Sequence, residues 1–398
     1  MLFMCQESIK GTVSHNDFAA KVACETKCDA SRQAFFYRTK EETVEFFKNI
    51  LALVMKNKHK LEIEEVRFNV KFKRILIQDS TIIRLPGKLY ETFSGVKNGN
   101  STVCNARIQG VYDLLSGQFI SFSIDSYSKN DLKAAPDIEV QEGDLVLRDR
   151  GYFVLSCIEK MKMNGADSII RYKHKTFFYD PESLKAINLL EKLQTFGSID
   201  MAVLSDPKQN TRLRIIAAPV PEEVANIRRM KAKIEAKNRD CSHELLQLMG
   251  WTIFITTIQD PNFTIKEVCV LYSLRWRIEC IFKTWKSNFN FDKIHSVSQI
   301  QLRVLLYARF ITITALYKCL FVTLENQVYL KVKKHLSLMK FMRFISRNLT
   351  TFIDQYFNEN KKESAIQRII RYCTFDERKR ENFNQIIDSV NLLNEKLT

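Results

Sequence analysis

The order of strand-like and helix-like segments between residues 74 and 174 constrains the fold most, because two of its hydrophobic segments each carry an aspartate. RILIQDSTII (74–83) is a β-branched run that predicts a buried strand ending near Asp79. GDLVLRDRGYF (143–153) predicts a second buried strand, which ends at Asp149 just before a glycine. Between them, RIQGVYDLLSGQFISFSID (107–125) predicts a hairpin around Ser116-Gly117.

Two helices and a further strand complete this order. KNDLKAAPDIE (129–139) predicts a short helix, YFVLSCIEKMKMNG (152–165) predicts a helix closed by Gly165, and SIIRYK (168–173) predicts a strand. The whole order matches an RNase H-like α/β sheet. Because α/β folds place their chemistry at strand ends, Asp79 and Asp149 become candidate site residues.

Helical regions are predicted on both sides of this core, and a strand-rich insertion within it. Residues 1–70 contain two amphipathic segments with Ser14 and Thr39 as N-caps. The insertion has short strands at 201–205, 212–220 and 251–258, with the basic stretch IRRMKAKIEAKNR (227–239) between them. The predicted regions are 1–70 (helical), 71–174 (first part of the core), 175–265 (insertion), 266–300 (a core helix) and 301–398 (helical).

Charge and cysteine usage point to a partner and a compartment. The net charge of +16, from 61 Lys and Arg against 45 Asp and Glu, suits a polyanion such as nucleic acid. Ten scattered cysteines without metal-ligand spacing are typical of a reducing compartment. No secretory signal is recognised, and FITITALYKCLFVTL (310–324) is too short to span a bilayer, so it predicts a buried helix. We therefore expect a cytoplasmic, nucleoid-associated protein with no membrane partner.

The stretch YSLRWRIECIFKTWK (272–286) has one acid among several bases. On a single helix, with Tyr272 at zero, Arg275, Glu279, Lys283 and Lys286 share its arc of about 80°, beside an apolar stripe. The plain interpretation is an amphipathic helix in which Glu279 pairs with Lys283. The functional interpretation is an acid framed by one phenol and three cations.

Asp79, Asp149 and Glu279 together form a candidate metal site. Three carboxylates without His or Cys nearby in sequence select a hard cation, Mg²⁺ or Mn²⁺. Two such ions can activate a water or a 3′-hydroxyl and stabilise the leaving oxygen of a phosphodiester. The alternative for each aspartate, taken singly, is a turn former at a strand end.

These residues resemble those of bacterial insertion-sequence transposases with a DDE catalytic triad, in the IS-four branch. The spacing Tyr272-x2-Arg275-x3-Glu279-x6-Lys286 is similar to the signature of that branch. Gln78-Asp79-Ser80-Thr81 and Asp149-Arg150-Gly151-Tyr152-Phe153 resemble the contexts of its first two acids. The resemblance runs from about residue 70 to 300 and includes the insertion.

The resemblance implies an activity and a role for each residue. It implies DNA cleavage and joining at transposon ends, with Asp79, Asp149 and Glu279 as catalytic metal ligands for two Mg²⁺ ions. It implies contacts of Tyr272, Arg275 and Lys286 to end phosphates, to which the shared arc adds Lys283. Trp251 matches a tryptophan that stacks on a flipped base, although a buried core tryptophan is the alternative. The expected partners are transposon-end and target double-stranded DNA and, in the DNA complex, a second copy of the chain.

Two other interpretations remain open from the sequence. One is a catalytically inactive DNA-binding remnant, or an inhibitor of a related transposase. The other is a stand-alone RNase H-like nuclease, which would need neither the insertion nor the Tyr-Arg-Glu-Lys residues.

Overall fold

The chain forms a mixed α/β protein that divides into two compact units. The computed structural model describes residues 2–9, 11, 14–26, 28–56, 72–94, 103–128, 138–206, 208, 211–236, 241–261, 263–295 and 297–376. The first unit comprises Met1–Phe68, Asp79–Pro136 and Trp276–Gln385, and the second comprises Asn69–Gln78, Asp137–Arg275 and Ile386–Thr398.

The regular elements are numbered in chain order over the described residues. The strands are β1 (Arg74–Arg84), β2 (Asn105–Asp113), β3 (Gln118–Ser126), β4 (Asp144–Arg148), β5 (Asp167–Arg171), β6 (Ile199–Leu204), β7 (Arg212–Pro219) and β8 (Trp251–Thr256). The helices are α1 (Leu2–Ser8), α2 (His15–Glu25), α3 (Arg32–Arg38), α4 (Glu41–Lys56), α5 (Leu155–Met163), α6 (Leu189–Phe196), α7 (Glu222–Ala236), α8 (His243–Leu248), α9 (Ile265–Ser273), α10 (Trp276–Phe289), α11 (Gln299–Leu316), α12 (Val322–Val332), α13 (Leu338–Tyr356) and α14 (Glu359–Cys373). Short 3₁₀ segments occur at Gly87–Leu89 and Arg150–Tyr152, and a π-helical segment at Tyr317–Phe321.

The predicted hairpin of the first unit is confirmed. Strands β2 and β3 pair antiparallel from Ala106 opposite Ser126 to Asp113 opposite Gln118. Gly117 in the turn has φ of +66°, a left-handed conformation that glycine adopts without a steric penalty. Phe119 and Phe122 of β3 contact the ring of Trp285 on α10, with centroids 5.0 and 5.6 Å apart. These contacts pack α10 against the hairpin.

Strand β1 is longer than the sequence predicted. The prediction that it ends near Asp79 is wrong, because the strand continues through five more residues to Arg84. Its later residues alternate between buried Thr81 and Ile83 and exposed Ile82 and Arg84, the period-two pattern of a half-buried strand. Asp79 therefore lies within a strand and not at its end.

Two N-terminal capping predictions have different outcomes. Ser14 caps α2 as predicted, in a capping box in which its hydroxyl accepts from the Asp17 amide and Asp17 accepts from the Ser14 amide. Thr39 does not cap α4. It ends α3 instead, with its hydroxyl donating to the carbonyl of Phe35 at 2.8 Å. Thr39 lies between the end of α3 at Arg38 and the start of α4 at Glu41, so the prediction placed it on the wrong helix.

The apolar C-terminal segment is part of a longer helix than predicted. Helical structure is continuous over Gln299–Val332, 34 residues, which is long and apolar enough to cross a membrane by length and composition. The prediction that it is too short to span a bilayer is therefore wrong. Within the apolar 18-residue segment of this helix, however, 72% of the residues are buried inside the protein. This burial confirms the prediction of a buried helix and is typical of a core helix.

The boundary between the units falls within β1, after Gln78. The second unit is built on this first part of β1 and five further strands, in the order β1-β4-β5-β8-β7-β6. Strands β1, β4 and β5 are parallel, with Gln78 opposite Arg148 as the final pair of the β1–β4 ladder. Strand β8 is antiparallel to both β5 and β7, and β7 is antiparallel to β6. The strands predicted for the insertion are present, and they extend the sheet that contains β4 and β5.

The helix and strand predicted around Gly165 are confirmed in the second unit. Helix α5 ends at Met163, and Gly165 follows with φ of +73° before strand β5. The basic stretch at 227–239 begins within α7. The short helix predicted at 129–139 falls mostly outside the described residues.

The segment 272–286 is not one helix, so the prediction that its polar side chains share one helical face is wrong. Helix α9 ends at Ser273, and α10 begins at Trp276. The amide of Arg275 donates to the carbonyl of Tyr272 at 3.0 Å, a tighter turn than the α-helical pattern. Because the wheel assumed unbroken α-helical rotation, the single arc shared by Tyr272 and Glu279 does not hold.

Candidate functional site

Asp79 is held on strand β1 in the first unit. Its Oδ1 atom accepts a 2.8 Å hydrogen bond from the backbone N–H of Ser80, and the residue is half-buried. The neighbouring side chains of Gln78 and Thr81 are buried. The carboxylate thus stands on a strand whose backbone is fixed on both sides of it.

Glu279 lies in the first turn of α10, also in the first unit. A negatively charged side chain at this place is attracted by the partial positive charge of the helix N-terminus. The helix buries Ile278, Phe282, Trp285 and Phe289, which recur at spacings of three and four residues. This apolar stripe fixes the rotation of α10, so that Glu279 is half-buried beside it.

Lys286 joins the helix of Glu279 to the strand of Asp79. Its Nζ atom donates a 2.7 Å hydrogen bond to the backbone carbonyl of Ile82 on β1. Burial lowers the pKa of Lys286 and nearby Asp292 raises it, with a net lowering. Lys286 follows Glu279 by seven residues, about two helical turns, so the two side chains share a face of α10. Lys283, one turn after Glu279, is exposed.

A partly buried cluster that no local sequence pattern predicted holds the first turn of α10. The hydroxyls of Tyr112 on β2 and Tyr317 in the π-helical segment lie 3.1 Å apart, and the Arg277 side chain is hydrogen-bonded to both. Burial acts to lower the pKa of Arg277, but the two tyrosines outweigh it and the pKa is raised. Arg277 precedes Glu279 by two residues and therefore positions the turn that carries it. The role of Arg277 depends on contacts with residues far away in sequence, which no local sequence pattern predicts.

Asp149 has a phenol as a neighbour in the second unit. It follows β4 directly and precedes the 3₁₀ turn at Arg150–Tyr152. The Tyr272 hydroxyl on α9 donates to Asp149 Oδ1 at 3.5 Å, the long limit of a hydrogen bond. The Tyr272 ring lies between Phe254 at 4.6 Å and the Arg275 guanidinium at 5.7 Å. Burial raises the pKa of Tyr272 well above its usual range, so the phenol stays neutral.

Trp251 begins strand β8 and is tied into the second unit. Its indole Nε1 donates a 2.6 Å hydrogen bond to the carbonyl of Gly197, and its ring packs against the hydrophobic core. Arg228 of α7 donates to the Trp251 carbonyl at 3.0 Å. The side chain is partly exposed and not free to swing without losing the indole hydrogen bond.

The predicted site residues divide between the two units. Asp79, Glu279, Lys283 and Lys286 lie in the first unit, and Asp149, Tyr272, Arg275 and Trp251 lie in the second. Over the part of the chain that the structure describes, no three Asp, Glu, His or Cys side chains form a ready-made metal-binding group. The chemistry of the three acids nevertheless suits a hard divalent cation, since each offers only carboxylate oxygens.

Comparisons with known proteins point to one family. Residues 70–315 match the sequence profile of the family described as "Transposase DDE domain". The chain is 28% identical over 376 residues to the transposase for insertion sequence element IS231F of Bacillus thuringiensis subsp. israelensis, covering 87% of this chain and 78% of that protein. It is 27% identical to the IS1151 transposase of Clostridium perfringens, over 71% of this chain and 64% of that protein. It is 30% identical to the IS231B transposase of Bacillus thuringiensis subsp. berliner, over 69% and 63% respectively.

Among solved structures, the piggyBac transposase synaptic complex with hairpin DNA shows a distant likeness. It aligns with 78% of this chain and 59% of that chain, at 10% identity and a TM-score of 0.39. That score is too low to support an argument about this chain.

Proposed function

The chain belongs to the family of DDE transposases, a family that uses divalent metal ions, and from that premise we propose that it cuts and joins DNA at the ends of its own insertion sequence. The observation that carries the proposal is the match of residues 70–315, which contain all three acids, to the family profile. The net charge of +16 suits the DNA substrate.

The family match supports a shared site for the first two acids. Within the second unit, the β1–β4 ladder ends at Gln78 opposite Arg148. Asp79 and Asp149 are the next residues in sequence after that pair. As the resemblance implies, both carboxylates would bind the same ion.

The contact between Lys286 and Ile82 supports the addition of Glu279. Glu279 precedes Lys286 by seven residues, about 10 Å along a helix. Asp79 precedes Ile82 by three residues, also about 10 Å along a strand. The two carboxylates thus lie at similar offsets from one hydrogen bond within the first unit, which supports placing them in one site.

In the proposed mechanism, Asp79, Asp149 and Glu279 would hold two Mg²⁺ ions, for which Mn²⁺ can substitute. When bound, such ions activate the attacking water or 3′-hydroxyl and stabilise the leaving oxygen. Tyr272, with its raised pKa, remains a neutral donor beside Asp149 and adds no charge to the site.

The proposed DNA contacts surround these acids. Arg275 and Tyr272 would contact phosphates of the transposon end, as the family resemblance implies, together with exposed Lys283. The Lys286 ammonium has three donors, of which the Ile82 carbonyl takes one, so a phosphate can be bound as well. Stacking of Trp251 on a flipped base stays a prediction, and it would compete with the hydrogen bond to Gly197.

We infer an RNase H-like core from the order of elements. Strand β1 precedes an antiparallel hairpin, and the parallel strands β4 and β5 are linked by α5. The proposed regions are the core at 71–174 and 266–300, the insertion at 175–265, an end-binding helical region at 1–70 and a helical region at 301–398. We expect the protein to act in the bacterial cytoplasm on nucleoid DNA, without a membrane, as a dimer in the DNA complex.

A cleavage assay tests this function. The substrate is DNA that carries the inverted repeats flanking the gene, incubated with Mg²⁺ and, in parallel, with a chelator. Metal-dependent cutting at the repeat ends supports the transposase. Cutting without regard to the repeats would identify a nuclease, and binding without cutting would identify an inactive remnant.

A further inference from the structure

Helix α7 of the second unit presents an exposed apolar face. Val224, Ile227, Met230 and Ile234 are 38, 54, 64 and 71% exposed, and their spacing of three or four residues places them on one side of the helix. Ala225 is the one residue of α7 that is buried. A contiguous group of exposed apolar side chains is typical of an interaction surface, whereas single exposed apolar residues are common on any protein.

Two opposite charges lie within the same face. Taking Ile227 as zero on the helical wheel, Glu223 falls near 320° and Lys231 near 40°, about equally far on either side. Both side chains are exposed, and neither has an ion-pair partner among the residues that the structure describes. Glu223 stands one turn before Ile227 and Lys231 one turn after it.

The arginines of α7 are already engaged in the fold. Arg228 donates to the Trp251 carbonyl and the Thr252 hydroxyl, each at 3.0 Å. Arg229 donates to the Leu246 carbonyl at 3.1 Å and pairs with Glu222 at 2.5 Å. The exposed face is therefore apolar with one acid and one base, which suits a protein surface and not a phosphate backbone.

We propose that this face of α7 binds the same face of a second copy of the chain, with the two helices antiparallel about a twofold axis at Ile227. In a twofold interface, each contact occurs twice with the roles exchanged. The axis brings Ile227 against its own copy and Val224 against Met230. It also pairs Glu223 of each copy with Lys231 of the other. Ile234, seven residues after the axis, extends beyond the first turn of the partner helix.

The surface is small, and this sets the strength of the interaction. A single helix face buries less than the roughly 800 Å² per partner of a standard stable interface. Free protein should therefore associate weakly and reversibly, with the DNA complex supplying further contacts. The proposal names a surface for the dimer that the proposed function expects in the DNA complex. It does not depend on the proposed DNA cleavage.

Charge reversal tests the pairing through sedimentation velocity of the full chain without DNA, over a range of concentrations. Glu223→Lys alone and Lys231→Glu alone should each weaken self-association about tenfold, because each places like charges together twice. The double variant should restore it to within about twofold of wild type. Lys233→Glu, the same charge change about 240° around the helix from Ile227, is the matched control and should behave as wild type.

All variants change exposed residues, and thermal melting checks that each variant folds. A monomeric wild type at every concentration would overturn the proposal. So would single reversals that match the Lys233→Glu control, or a double variant as weak as the singles. Since DNA is absent, a negative result leaves the proposed cleavage activity untouched, and a failure of cleavage leaves this result untouched.

Discussion

The ammonium of Lys286 donates a 2.7 Å hydrogen bond to the backbone carbonyl of Ile82, and this bond ties helix α10 to strand β1 within one unit. Glu279 and Asp79 lie on those same two elements. The family resemblance implies only phosphate binding for Lys286. The structure adds a positioning role, because the bond fixes where the helix of the third acid lies along the strand of the first.

We predict that Lys286→Met slows DNA nicking more than it weakens DNA binding. Methionine keeps the aliphatic length but removes the donor, so the free energy of unfolding should fall by about 1 kcal/mol. Urea unfolding and single-turnover nicking measure the two effects. Lys283→Met is the matched control, since the exposed Lys283 should leave stability unchanged within about 0.5 kcal/mol. Equal behaviour of the two variants in both assays would contradict a positioning role.

Lys283→Ala should change the salt dependence of DNA binding. Each neutralised phosphate contributes nearly one unit to the slope of log K against log salt concentration, so loss of one contact should make the slope shallower by about one. Fluorescence anisotropy on end DNA over a salt series measures it. An unchanged slope would place the DNA away from this part of α10.

Substitutions of Trp251 separate a core role from base stacking. Trp251→Phe should cost about 1–2 kcal/mol of stability, because the Gly197 carbonyl loses its donor. Trp251→Ala should cost about 3–5 kcal/mol and depress every step of the reaction together. Thermal melting and a step-resolved cleavage gel test this. If Trp251→Ala melts like wild type and slows only the steps after the first nick, base stacking is the better account.

Tyr272→Phe should make the protein less sensitive to high pH. Burial raises the pKa of Tyr272 in the folded chain, whereas an unfolded tyrosine ionises near pH 10. The stability that this phenol contributes is present below about pH 10 and is lost as the pH rises further. At about pH 11 the variant should have lost about 1 kcal/mol less than wild type, relative to pH 8. Tyr37→Phe, at a residue that is 67% exposed, is the control; an equal change in both would contradict a buried Tyr272.

Local patterns predicted those elements whose structure is decided locally. The hairpin around Gly117 and the strand before Asp149 follow from short apolar runs and from turn residues that lie next to them in sequence. The Ser14 cap is also a short-range feature. For the candidate site, the three acids and their neighbours remain predictions from the sequence.

The remaining features depend on contacts between distant residues. Strand β1 extends to Arg84, beyond the end predicted at Asp79. The interruption between α9 and α10, at Leu274–Arg275, contains no glycine or proline that would have predicted it. The Arg277 cluster joins residues 112, 277 and 317, which only the folded chain brings together. Such features follow from packing, for which a periodic pattern gives no signal.

The central claim is that Asp79, Asp149 and Glu279 act together as the ligands of one metal-dependent cutting site. The most direct measurement is strand nicking of terminal-repeat DNA in Mg²⁺ by Asp79→Asn, Asp149→Asn and Glu279→Gln, each of which removes a ligand charge with little change of shape. We predict that none of the three nicks DNA, while all three melt within a few degrees of wild type and bind the DNA with similar affinity. If any one of them cuts at close to the wild-type rate, that residue is not a ligand and the shared site is wrong.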